Sequence, residues 1–149
     1  MDFRRSVPDD ATAIAALEAE IFPDPWSRDS IMGVICTEGA MCFTAVADGV
    51  VIAYVLGRII PPEGEIYRVA VRPDSRQRGV GYRLLDYAVK TSRGAGLEDL
   101  FLEVRSQNIP AIALYKAYGF ATVGHRAKYY KDPEDDAIIM LKASRDSFV

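Results

Sequence analysis

Residues 75–85 read SRQRGVGYRLL, two glycines and three arginines at the mouth of a run with helical character. Gly79 and Gly81 lower helix propensity, so their presence asks for a use of the backbone itself. The first turn of a helix carries unpaired N–H donors and the positive end of the helix dipole. Glycines there let a phosphate come close to the backbone. Arg76, Arg78 and Arg83 add positive charge. The stretch therefore has the chemistry of a phosphate or pyrophosphate cradle. It is not a Walker loop, because G-x-x-x-x-G-K-[ST] is absent. It is not a full dinucleotide fingerprint, because Leu84 stands where the third glycine of G-x-G-x-x-G belongs. A glycine turn under a solvated basic face explains the loop alone equally well.

A second group stands out in LFLEV. Leu100, Leu102 and Val104 share one face of a predicted strand, and Phe101 and Glu103 share the other. A glutamate in so apolar a strand needs a partner, water or a ligand. Burial would raise its pKa toward the range useful to a base, and Arg105 on the same face would oppose that shift. A structural contact of Glu103 with Arg105 or backbone is the alternative.

Counting removes other chemistries. One histidine, His125, excludes a zinc site built on several His ligands, and no metal is expected. His125 in VGHRAKYY reads as an exposed loop or strand-end residue. Cys36 and Cys42 form neither a disulfide framework nor a zinc pattern, and each reads as a reduced, buried thiol. A covalent route through either lacks the basic helix-start setting that lowers a thiol pKa.

The elements that must position these groups follow from pattern. The 149 residues suit one domain over 1–149. Half of them are hydrophobic and 26% are charged, as in a soluble globular protein. A net charge of −3 argues against a dedicated nucleic-acid binder. No apolar run of membrane-spanning length and no signal-peptide core is present, so a cytoplasmic location without a membrane partner is expected. Asp9 and Asp10 are cap candidates before Ile14, Leu17 and Ile21 at helical spacing. Ser27 can cap a short helix to about Thr37. MCFTAVADGVVIAYVLGRII is two strands joined by Asp48-Gly49, and EIYRVAV is a third.

The glycine stretch then opens a helix with Val80, Leu84, Tyr87 and Ala88 on one face, ended by Gly94 and Gly96. DLFLEV is a strand. NIPAIALYKAYGF is a helix with Asn108 as cap, Pro110 in the first turn and Gly119 past its end. ATVGHR and DAIIMLK are the last strands. The order β-α-α-β-β-β-α-β-α-β-β predicts a mixed α/β sheet with helices on its faces.

At this point the residues resemble a family. RQRGVG after VAVRP is similar to the acetyl-CoA loop of the GNAT N-acetyltransferases. LEVRSQNIPAIALYKAYGF, HRAKYY, DAIIM and FPDPWS together resemble the RimI type, which acetylates the N-terminal alanine of a small-subunit ribosomal protein. The resemblance covers nearly the whole chain. It implies a mixed, mostly antiparallel sheet that splays near its middle, with acetyl-CoA wedged into the opening. The pyrophosphate would lie on the backbone of Gln77, Arg78, Gly79, Val80, Gly81 and Tyr82. Val69, Ala70 and Val71 would bind the pantetheine arm, and Asn108 would contact the cofactor near its thiol.

The same resemblance makes Glu103 the base that deprotonates the acceptor amine and Tyr115 the acid that protonates the leaving thiolate. By pattern alone, Tyr115 and Tyr118 are core aromatics with a hydroxyl handle. The Pro25-Trp26 turn and a Tyr129-Tyr130 loop would flank the acceptor groove. Arg68, on the strand beside it, would favour an acidic or carbonyl-rich acceptor. The partners implied are acetyl-CoA and the N-terminal peptide of a ribosomal protein. The other readings are a small-molecule amine acetyltransferase and a non-catalytic acyl-CoA module.

Overall fold

The computed structural model describes residues 1–144. Its elements, in order, are β1 (Asp2–Arg5), α1 (Ala11–Ile21), α2 (Arg28–Ile35), β2 (Phe43–Ala47), β3 (Val50–Ile60), β4 (Glu63–Val71), α3 (Val80–Arg93), β5 (Asp99–Arg105), α4 (Ile109–Tyr118), β6 (Ala121–Lys131) and β7 (Glu134–Lys142). The order of elements is the one the sequence predicts. The strands form one sheet in the order β1-β2-β3-β4-β5-β7-β6. Every pairing is antiparallel except that of β4 with β5.

The sheet is covered on both faces, and strand parity shows how. Phe43, Ala53 and Val55 pack with Val80, Leu84 and Ala88 of α3. Their neighbours Cys42, Tyr54 and Leu56 pack with Ile14 and Leu17 of α1 and Ile31 of α2. A strand buried on both faces reads as a continuous apolar run, which is what VVIAYVL is.

Local signals set the ends of the elements. Asp48 and Gly49 both have positive φ, 51° and 76°, as a tight hairpin of primed type requires. Ser27 accepts from the Ser30 N–H at the start of α2, and Asn108 accepts from the Ala111 N–H at the start of α4. Gly119, at φ 106°, ends α4. Asp10 makes no side-chain capping bond to α1. It accepts two hydrogen bonds from Arg4 and one from the Val7 N–H instead. Along α3 the buried stripe is Val80, Leu84, Leu85, Ala88 and Val89. Tyr87 lies at its margin, part exposed, against Phe3 and Phe43.

Three further expectations are corrected. Cys36 is exposed, because it caps the outer end of α2, whereas Cys42 is buried. His125 lies within β6 rather than at a strand end, and it meets Asp136 at 3.1 Å. Tyr129 and Tyr130 belong to β6, not to a loop. The strand runs on because a bulge between Arg126 and Tyr130 absorbs extra residues. Lys128 sits in the bulge at φ 54° and gives its N–H to the Asp136 carboxylate at 2.8 Å. The side chain of Asp136 thus replaces the missing rung.

Candidate active site

The site begins where two strands part. β4 and β5 pair from Glu63–Asp99 to Ile66–Leu102 and no further. Beyond that point β4 remains paired only with β3, up to Val71, and β5 only with β7, up to Arg105. The cause lies one residue along. Opposite Leu56 and Gly57 stand Arg68 and Ile66, so Tyr67 is an extra residue in β4. A bulge of this kind bends and twists its strand. Gly57 permits it, because a Cβ there would lie 2.4 Å from the Glu65 carbonyl oxygen.

The opening continues as a cleft of about 470 Å³. Val69, Ala70 and Val71 form one wall, Asn108, Pro110, Ala111 and Leu114 of α4 another, and Gln77, Gly79, Val80, Gly81 and Tyr82 the third. Nine of the ten residues predicted for the cofactor line it. Arg78 is in the loop but not in the lining. Gln77 and Gly79 both have left-handed backbones, φ 65° and 74°. Such turns point successive N–H groups into one concavity that suits an anion. Gly81 is needed for another reason: a Cβ there would sit 3.2 Å from Leu114 and 3.4 Å from Val71. Arg76 donates to the Val71 carbonyl at 2.9 Å and so ties the loop to the end of β4.

This geometry suits a long ligand with a phosphate at one end. The N–H groups of the glycine loop match a pyrophosphate, and the unpaired edge of β4 offers main-chain partners for an extended arm. Coenzyme A has that form, so the residues present fit it.

Glu103 is the first residue of β5 past the last pair with β4. Its side chain is 29% exposed, less buried than the apolar strand predicts, and Arg126 lies 3.9 Å away. Leu100, Leu102 and Val104 are buried on the opposite face of β5, and Glu103 shares the half-buried face with Phe101. Interaction with its carboxylate holds the Tyr129 hydroxyl above the usual tyrosine range. Burial, and then the charge of Glu103, raise the carboxyl of Glu65.

Tyr115 is buried in α4, with its ring on Phe120. Burial pushes its hydroxyl well above the ordinary value, against the opposing charge of Arg68. Its hydroxyl makes no hydrogen bond among the described residues. Tyr118 is bound elsewhere, donating to Asp86 at 2.9 Å.

Trp26 packs its ring on Tyr67 at 5.6 Å. Arg68 is held inside the protein: it meets Glu18 at 3.3 Å and Asp24 at 3.2 Å, and its guanidinium lies over Phe22. Two carboxylates of the chain itself therefore already match the charge of Arg68.

Glu18, Asp24, Glu65 and Tyr67 contact or neighbour the candidate residues here, and the sequence reading does not pick them out. Glu18 left a signal. It falls four residues after Ile14, on the apolar side of its helix, and is fully buried. Tyr67 left none, since a bulge depends on the neighbouring strand.

Residues 11–120 match the acetyltransferase (GNAT) family. The chain is 35% identical over 143 residues to the N-alpha-acetyltransferase RimI of Mycobacterium tuberculosis, covering 92% of this chain and 89% of that one. It is 32% identical over 133 residues to the [ribosomal protein bS18]-alanine N-acetyltransferase of Escherichia coli K12, covering 88% and 89%. The crystal structure of the ribosomal-protein-S18-alanine N-acetyltransferase from Escherichia coli superposes with a TM-score of 0.88 at 29% identity, over 96% of this chain and 93% of that one. Similarity along so much of the sequence, on the same fold, means that the chain belongs to the acetyltransferase (GNAT) family and is an N-acetyltransferase.

Proposed function

We propose that the chain transfers the acetyl group of acetyl-CoA to the N-terminal α-amine of a protein, with the N-terminal alanine of a small-subunit ribosomal protein as acceptor. The observation that carries this reading is the position of Glu103. It stands at the point where β4 and β5 separate, and the stretch of β4 past that point lines the cleft that the glycine loop closes on its other side. The relatives named for an alanine acceptor support the choice of that acceptor.

The backbone of Gln77 to Tyr82 would hold the pyrophosphate, and the free edge of β4 at Val69 to Val71 would hold the pantetheine arm. Asn108 would lie near the thiol end. An amine attacks a thioester only when neutral, and an N-terminal amine with a pKa near 8 is largely protonated at pH 7. Glu103 would take that proton, directly or through one water. The amine nitrogen then bonds to the carbonyl carbon, the nitrogen gives up its second proton to water, the carbon–sulfur bond breaks, and the electron pair stays on sulfur. Tyr115 would give its phenolic proton to that sulfur. Its raised pKa keeps the hydroxyl protonated through the neutral range, and it would regain the donated proton from solvent. Trp26, Tyr129 and Tyr130 would border the acceptor groove, and Arg68 would act from beneath it.

The test is a set of synthetic peptides with different first residues, incubated with acetyl-CoA and read by mass spectrometry. A gain of one acetyl group on the α-amine of peptides beginning with alanine is expected. Acetylation of small amines alone, or binding of acetyl-CoA without turnover on any amine, would overturn the reading.

A further inference from the structure

The α1–α2 loop crosses the mouth of the splayed sheet, and one carboxylate fixes it there. Asp24 receives Arg68 of β4 on one carboxylate oxygen at 3.2 Å and Arg105 of β5 on the other at 3.3 Å. The Asp24 carbonyl oxygen accepts from the same Arg68 nitrogen at 2.7 Å. The two arginines project from the strands just past the last β4–β5 pair. Asp24 thus joins the two halves of the sheet where main-chain bonding has stopped. Without it, two guanidinium groups would face each other across the gap.

Arg105 extends the link. It donates to the Pro133 carbonyl at 2.7 Å and lies over the Tyr130 ring at 4.3 Å, so the β6–β7 turn is held at the same point. Two residues after Asp24, the Trp26 ring rests on Tyr67, the bulge residue. The Trp26 N–H is bound by Glu18, which also meets Arg68. The loop and the two strand ends therefore meet at one aspartate, and Arg105 carries the link on to the β6–β7 hairpin.

We propose that Asp24 is a positioning residue for acceptor binding: a clasp, between Arg68 and Arg105, that sets the width of the acceptor entrance and the place of its Trp26 wall. This rests on the acceptor reading given above. The clasp lies outside the cofactor cleft, so it acts on the acceptor and leaves acetyl-CoA in place. Its bonds are charge-assisted, and opposite charges at a partly exposed site are screened by salt.

The test compares the parent with Asp24→Asn, which keeps shape and loses charge, and with Arg105→Gln, which breaks the same link from the other side. A synthetic peptide beginning with alanine serves as acceptor. The KM for peptide should rise about tenfold in Asp24→Asn, a factor equivalent to about 1.4 kcal/mol. The value of kcat and the KM for acetyl-CoA should stay within about twofold. The double variant should cost no more than Asp24→Asn alone, because Arg105→Gln removes a link that the loss of the Asp24 charge has already broken. Trp26 is the sole tryptophan, so acrylamide quenching of its fluorescence should increase in Asp24→Asn with an unchanged far-UV spectrum. A peptide KM equal to the parent's, or a fall in kcat or a rise in the KM for acetyl-CoA as large as the rise in the peptide KM, overturns the proposal. Should the parent acetylate no peptide, the acceptor reading fails, and the clasp then stands or falls on the quenching alone.

Discussion

Ile66 and Leu102 are the last cross-strand pair that β4 and β5 share. Both side chains are buried, so the pair closes the core at the same level at which the sheet opens. The next residue on β5 is Glu103 and the next on β4 is the bulged Tyr67. Glu103 and Tyr67 therefore sit on the rim of a rigid core, where a carboxylate can be held in place and still meet a ligand. Removing the Glu103 charge with Glu103→Gln should lower kcat by about a hundredfold or more, the range of a lost general base. Calorimetry should find acetyl-CoA affinity unchanged, since no lining residue of the cleft is touched.

Tyr115→Phe deletes one oxygen inside a packed site. Burial raises this hydroxyl above its ordinary value, so it stays protonated through the neutral range. The rate should fall by about tenfold to a hundredfold, and the loss should be constant between pH 6 and about pH 9. A pH–rate profile of both proteins checks this. If the loss varied across that window, Tyr115 would be titrating there and could not be a standing donor.

The glycine loop can be tested without turnover. Gly79 has φ 74° and open space where a Cβ would stand, so Gly79→Ala meets backbone strain only, about 1 kcal/mol. Gly81→Ala places a methyl 3.2 Å from the Leu114 side chain, where the cleft walls converge. Gly81→Val should abolish acetyl-CoA binding in calorimetry, whereas Gly79→Ala should weaken it about tenfold or less.

These residues show what was legible in the chain and what was not. The order of elements could be read because helix faces, caps and the Asp48-Gly49 turn are local signals. The glycine loop and the helix it opens could be read for the same reason, since glycine spacing and a following helix lie within a dozen residues. The surroundings of the β4–β5 opening could not. Tyr67 bulges because of what Gly57 allows on the neighbouring strand, and Tyr129 lies in β6 because Asp136 on β7 repairs a break in the ladder. Asp24 gains its meaning from Arg68 and Arg105, far away in sequence and on two different strands. Each of these depends on which strands become neighbours, and spacing along one strand does not report that.

Glu18 should dominate the stability of the α1 side. It is fully buried, takes the Tyr54 hydroxyl at 2.6 Å and the Trp26 N–H at 2.9 Å, and meets Arg68 at 3.3 Å. Glu18→Ala would leave the Arg68 charge short of its buried partner and should cost about 3 to 5 kcal/mol. Tyr54→Phe removes one hydrogen bond to the carboxylate and should cost about 1.5 to 3 kcal/mol. Urea unfolding of the two variants measures the difference. Equal costs would mean that the Tyr54 bond, rather than the ion pair, carries the site.

The Arg4–Asp10 pair gives stability a signature at acid pH. Burial works to raise the Asp10 carboxyl, but two hydrogen bonds from Arg4 and one from the Val7 N–H outweigh it, and the group sits below the usual 3.8. A carboxyl depressed in the folded state binds its proton more readily when unfolded. Its contribution is thus complete above the unfolded value and is lost as pH falls through the lower, folded one. Charge-assisted bonds of this kind are worth about 1.5 to 3 kcal/mol, and the partial exposure of Arg4 brings that nearer 1. Arg4→Met should therefore unfold at lower urea concentration than the parent by a constant margin from pH 7 to about pH 5. Below about pH 4 the margin should close, because the parent then protonates Asp10 and loses what the variant already lacks. A margin that persists undiminished at pH 2 would show that Arg4 stabilises this corner through packing on the chain, not through the carboxylate.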